Sequence, residues 1–244
     1  MGNYGDHLIR KSTRRLVISG SLVELYKYSR PYFYNIPPNK SRGADSVLAK
    51  PAEKRDDHIL RSRRTIRRLI EANVNAKTKP VFITFTFARN VCSLEEANPL
   101  FSTCVKEMQR RWGRSRYLCV PEFQKRGAVH YHVIFFDLPF IPHIKQKMSK
   151  LWQHGFCQVK AIRKIKNIGA YVSKYLQKGV GDERSRGKKS YFCSRNMVKP
   201  IEYRGEKGID IALGGMILED EAVESFQSRQ GTVIYSRYRN LDYV

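Results

Sequence analysis

Along most of this chain the hydrophobic positions recur with one of two periods, two residues or three to four, and the switches between them mark its elements. Residues 16–28 alternate as one or two strands around Gly20. The stretch from 31 to 45, rich in Pro, Asn and Gly, predicts a loop. Residues 56–73 place Ile59, Leu60, Ile66, Leu69 and Ile70 at helical spacings with arginines between them. From residue 80 the pattern becomes regular. VFITFTF (81–87) predicts a strand, and SLEEANPLFSTCVKEMQRRW (93–112) a helix that opens with Ser93 and Glu96 at capping-box spacing. YLCVPEF (117–123) and VHYHVIFF (129–136) predict a hairpin across a short QKRGA turn. A helix over 142–152, a strand over 156–162 and a helix over 166–178, closed by Gly179, complete the series. The order β-α-β-β-α-β-α predicts an α+β fold: a ferredoxin-like, RRM-like antiparallel sheet flanked by helices on one side. The last fifty residues predict short strands and turns.

Composition narrows the class. The 244 residues are 41% hydrophobic, enough for a sizeable core, and carry a formal charge of +24. That excess selects a polyanionic partner, because each phosphate neutralised by Lys or Arg releases counterions. Charge alone says nucleic acid and nothing about chemistry. Cys92, Cys104, Cys119, Cys157 and Cys193 include no CxxC pair, which argues against a disulfide framework or a closed zinc site and suits a reducing cytoplasm. No apolar stretch nears the roughly 20 residues that span a bilayer, and the N-terminus lacks the apolar run of a secretory signal. The expected location is the cytoplasm, with no membrane partner.

Candidate chemistry begins in AVHYHVIFF (128–136). Strand alternation sends His130 and His132 to one face and Tyr131 and Val133 to the other. A lone buried histidine is more often a core residue with a satisfied hydrogen bond; two on adjacent same-face positions are spaced to share a metal ion. If the turn centres near Arg126, Glu122 falls opposite His130, whereas a register one residue different sends it to the other face. Two imidazoles and a carboxylate leave coordination positions open, as catalytic sites do. On the strand 81–87, Phe82, Thr84 and Thr86 alternate against Ile83, Phe85 and Phe87, so the threonines can face the same site. In YVSKYLQK (171–178), Tyr171 and Tyr175 are neighbours on one helical stripe, and Lys174 and Lys178 on the next. That spacing also fits amphipathic packing. GVGDERSRGKKS (179–190) superficially suggests a phosphate loop, but Gly181 and Gly187 are one residue too far apart, and Lys189 follows Lys188 where Ser or Thr belongs.

In order and spacing, FITFTF, PEFQKRGAVHYH and YVSKYLQK resemble the three motifs of the HUH endonucleases. They are most similar to the rolling-circle replication initiators (Rep proteins) of small phages and plasmids, with tandem tyrosines like those of single-stranded DNA phage initiators. The resemblance covers about residues 80–200. It implies an HUH endonuclease domain there, between a basic N-terminal extension (1–79, strands plus the Arg-rich helix, packed on that domain) and a strand-rich C-terminal extension (201–244). It also implies that His130, His132 and Glu122 bind a divalent metal, Mg²⁺ or Mn²⁺. Tyr175 or Tyr171 then attacks a scissile phosphate in single-stranded origin DNA, a hairpin being one form of origin, and remains joined to the 5′ phosphate. Lys174 and Lys178 would offset developing charge. No helicase domain fits, so a host helicase and polymerase, in a bacterial cell, would be needed. Arg63, Arg64, Arg67 and Arg68, with Lys188 and Lys189, are the expected DNA-backbone contacts. Three alternatives stay open: an HUH-type transposase, a relaxase, and a non-catalytic single-strand binder that stacks bases on exposed aromatics of FITFTF and HYHVIFF.

Overall fold

The computed structural model describes residues 9–35, 51–75, 77–162, 180, 182–185 and 187–243. The strands are β1 (Arg10–Ser19), β2 (Leu22–Tyr34), β3 (Val81–Phe87), β4 (Tyr117–Phe123), β5 (Val129–Phe135), β6 (Gly155–Ala161), β7 (Phe192–Cys193), β8 (Ile201–Arg204), β9 (Leu218–Ser228) and β10 (Gly231–Asn240). The helices are α1 (Pro51–Glu71), α2 (Leu94–Trp112), α3 (Ile144–Trp152) and α4 (Glu206–Leu213). The architecture is α+β: two five-stranded antiparallel sheets flanked by helices, ordered β8-β1-β2-β10-β9 and β6-β3-β5-β4-β7.

The two sheets belong to separate compact units, Met1–Asp56 with Lys199–Val244, and Asp57–Val198. The sequence suggested two extensions flanking a domain that begins at 80 and ends at 200. Strand pairing instead joins both ends of the chain in one sheet, β2 lying beside β10. Residues 57–71 of the Arg-rich helix, with all of its candidate DNA-contact arginines, fall in the middle unit. In the terminal unit, Leu16, Val23 and Leu25 pack with Ile209 of α4 on one side of the sheet. On the other side Val17, Tyr26 and Val233 cluster beside Tyr28 and Tyr235.

The middle unit contains the predicted βαββαβ series, and its strand order β6-β3-β5-β4 is that of the split βαβ arrangement, with β7 added beyond β4. One face of the sheet packs Ile83, Phe85, Phe87, Tyr131, Val133 and Phe135 against Phe101, Val105 and Met108 of α2 and Met148 and Trp152 of α3. Ser93 caps α2, its hydroxyl oxygen accepting from the amides of Glu95 (3.1 Å) and Glu96 (3.4 Å). The reciprocal half of the expected capping box does not form. Ser93 Oγ donates to Glu95 (2.8 Å), while Glu96 lies 3.8 Å from Arg89.

Helices were expected on one side only; α1 covers part of the other. Ile66, Leu69 and Ile70 pack against Leu118, Val120, Ile134 and Phe136. Fully burying such a side chain is worth about 1.5–3 kcal/mol, which outweighs any preference of a basic helix for solvent. Leu60, expected on the apolar stripe, is 56% exposed. One residue beyond Ile59 is about 100° further around the helix, off the stripe. The helix therefore occupies one end of this face and leaves the opposite end to the histidines.

Candidate nuclease site

Antiparallel pairing builds the site in rows. Glu122 pairs with His130, His130 with Thr86, and Thr86 with Phe156. One row along lie Val120, His132, Thr84 and Gln158. Directly opposed residues project to the same face, so Glu122, His130 and His132 share it with Thr84 and Thr86. The register that makes this possible comes from the turn: Gly127 N–H donates to Gln124 O and Gln124 N–H to Ala128 O, each at 2.9 Å. Gly127 has φ +93°, a conformation that disfavours any side chain, and an added Cβ would approach Cys92 Sγ to 3.1 Å. Pro121 is tolerated inside β4 because the pairing of β4 with β7 covers only Leu118 and Cys119.

Each site residue has a distinct environment. His130 is half-buried, and its Nε2 is buried without a hydrogen-bond partner. Burial, aided by the neighbouring His132 and Arg126 and opposed by Glu122, lowers its pKa to about 4. The imidazole is thus neutral at physiological pH and keeps a lone pair for a Lewis acid. His132 Nε2 contacts the Glu122 carboxylate, and its Nδ1 lies 3.2 Å from Thr84 Oγ1. Phe82 stacks on its ring at 5.8 Å. The two imidazole centroids are 6.2 Å apart. Among the described residues, no three His, Cys, Asp or Glu side chains are grouped around one point to hold a metal. The donor set nevertheless fits a divalent cation in kind: a neutral imidazole with an orphaned Nε2, a second imidazole and a carboxylate on one face.

Gln124, Lys125 and Arg126 line a depression of about 470 Å³ with Glu122 and His130. Arg126 is anchored, donating to Phe87 O (2.5 Å), Ala88 O (3.3 Å) and Gln124 Oε1 (2.9 Å). Arg184 clamps the hairpin from outside, 4.6 Å over the Phe123 ring and donating to Gln124 O (3.2 Å). Sequence reasoning missed both arginines, since interactions so distant along the chain leave no local signature.

The remaining expected site residues divide. Tyr171, Lys174, Tyr175 and Lys178 lie outside the described residues. Arg63 and Arg64 are exposed on α1, whereas Arg67 and Arg68 are half-buried. Lys188 pairs with Glu95, and Lys189 is exposed. Of the aromatics on the strands that the non-catalytic alternative would use, Phe82 is half-buried against the His132 ring. Phe85, Phe87, Tyr131, Phe135 and Phe136 are all buried in the core.

Residues 80–180 match the model of a family described as Replication-associated protein ORF2/G2P. The matched segment begins at β3 and spans Glu122, His130, His132 and all four Tyr and Lys positions of the 171–178 motif. No curated protein and no solved structure matches the chain. The replication-associated match supports a Rep-type initiator role and a DNA partner. It covers less than half of the chain and leaves the terminal sheet unassigned. Among the described residues, no helix is long and apolar enough to cross a membrane.

Proposed function

We propose that this protein initiates replication by nicking single-stranded DNA at an origin and joining itself to the 5′ phosphate through a tyrosine. The observation that carries the reading is the register of Glu122 with His130, which sets a carboxylate and two imidazoles on one sheet face within the segment similar to replication-associated proteins. His130, His132 and Glu122 would hold a divalent cation, Mg²⁺ or Mn²⁺. Such an ion supplies Lewis-acid polarisation of the scissile phosphate. The register sets the three side chains on one face in neighbouring rows, and holding one ion would require their side chains to turn towards a common point.

The chain's own groups carry the transfer. The phenolic oxygen of Tyr175 or Tyr171 attacks phosphorus in line. The bond from phosphorus to the 3′ oxygen breaks as the bond to tyrosine forms. The phenol gives up its proton, the 3′ oxygen takes one up as it leaves as a hydroxyl, and the 5′ phosphate stays on tyrosine. Lys174 or Lys178 offsets charge on the phosphoryl oxygens, and Lys125 and Arg126 add positive charge beside His130. The second tyrosine attacks the regenerated junction in the same way, and the 3′ hydroxyl so freed attacks the first phosphotyrosine, which rejoins the strand and releases the first tyrosine. A host polymerase extends the free 3′ hydroxyl, and a host helicase opens the duplex.

A denaturing gel tests this on short single-stranded tiles of the noncoding region beside the gene, with Mg²⁺, Mn²⁺ or EDTA. A denaturant-resistant adduct is expected with metal, persisting in Tyr171→Phe or Tyr175→Phe and lost in the double variant. Tiles that bind but give no adduct under any metal would overturn the nuclease.

Backbone contacts are expected at Arg63 and Arg64, the exposed pair of the α1 arginines. Replacing both with Glu should weaken binding to every single-stranded sequence. The slope of log K against log salt should flatten by about 0.7 for each phosphate that the variant no longer neutralises. An unchanged slope would make this helix face a solvated surface only.

A further inference from the structure

Phe156 has no role in the chemistry above, yet it occupies the first row of the site. It is 62% exposed, on the edge strand of the sheet. It pairs with Thr86, which pairs with His130, which pairs with Glu122. Adjacent strands are about 4.8 Å apart, so Phe156 stands roughly 10 Å across the sheet from His130, with only a threonine between them. Scattered exposed apolar residues are ordinary. This one shares its face of β6 with exposed Gln158 and Lys160, where a polar side chain would meet no penalty.

Two contacts hold the strand in that register. Gly155 lies so close to β3 that an added Cβ would come within 2.1 Å of Thr86 O and 2.6 Å of Ala88 N. Trp152 Nε1 donates to that same Thr86 carbonyl at 2.9 Å. A slip of one residue would turn Phe156 into the core and expose Cys157. The side chain is therefore held on the solvent face of the sheet, beside the candidate site. Lysines bracket the face, Lys160 on β6 and Lys125 across the sheet at the hairpin tip.

We propose that Phe156 is a stacking platform for a base of single-stranded DNA next to the scissile phosphate, an inference that rests on the nuclease reading of this face. An aromatic ring offers every base a π-face. The cations flanking it fit the sugar-phosphate chain, and a duplex, whose bases are already stacked, has none to offer. Phe156 positions the strand and takes no part in bond making.

The test is binding of a fluorescein-labelled twenty-nucleotide oligothymidylate, followed by anisotropy in EDTA, beside an abasic strand of the same length. Phe156→Ala should weaken binding to oligothymidylate roughly tenfold and leave the abasic strand unaffected. Phe156→Trp should restore wild-type affinity, and Phe156→Leu should fail as Ala does. Unaltered binding in Phe156→Ala, equal losses on both strands, or full retention by Leu would each overturn the proposal. Its failure is separable from that of the nuclease. A chain that forms the tyrosine adduct while Phe156→Ala binds oligothymidylate normally keeps its chemistry and loses this platform. A chain that forms no adduct, yet shows the base-dependent loss, keeps the platform alone.

Discussion

Replacing His130 with Ala should abolish metal-dependent cleavage of single-stranded DNA while leaving the fold intact. A side chain that only supports a metal ligand typically accounts for 10–100-fold in metal affinity or activity, so loss of a ligand should cost more than about 100-fold. His130 is half-buried at one end of the sheet, and its Nε2 makes no hydrogen bond whose loss would strand a partner. A large activity loss with little change in melting is therefore the expected pattern. His130→Phe separates ligation from packing. If the ring merely fills space, Phe should preserve cleavage; if Nε2 binds a cation, Phe should fail as Ala does. Glu122→Gln should behave similarly, with partial recovery as Mn²⁺ is raised, because the amide oxygen is a weaker donor. Cleavage at the wild-type rate in His130→Phe would end the metal reading of this residue.

The second large effect concerns stability. Trp152 is fully buried, in edge contact with Phe85 (5.2 Å) and Phe87 (4.9 Å), and donates its indole N–H to Thr86 O at 2.9 Å. Trp152→Ala leaves a large cavity and removes the indole hydrogen bond, and should cost about 3–5 kcal/mol by chemical denaturation. The consequence reaches the site. Thr86 is the residue between His130 and Phe156, and the strand that carries it would lose its support from behind. Trp152→Phe, which keeps most of the volume and removes the donor, should fall well below the Ala cost. If Trp152→Ala cost less than about 1 kcal/mol, this indole would not be what holds β6 against β3.

Much of the site was legible because it depends on period and turn length. A repeat of two puts His130 and His132 on one face whatever the fold around them. The tight QKRGA turn leaves few registers, and the one formed pairs Glu122 with His130. Thr84 and Thr86 follow from the same alternation. The alternation of 156–160 also contained an unread clue, one phenylalanine on the face otherwise given to Gln158 and Lys160.

The sequence by itself therefore determined the order of elements from β3 to β6, the hairpin, and the shared face of the three candidate ligands. These features are local, and backbone geometry alone sets them. Tertiary structure decided what lies across each face. It placed α1 on the histidine side, set β6 beside β3 so that Phe156 aligns with His130, set Arg126 of the hairpin turn against the Phe87 and Ala88 carbonyls, and brought Arg184 to the hairpin. It also joined β1 and β2 to β8, β9 and β10 in one sheet, although the whole middle unit separates them in the chain. Periodicity tells which residues share a face, but not which partner that face will meet. Pairing between distant strands is selected by the burial of their combined surfaces, and no short window of sequence contains it.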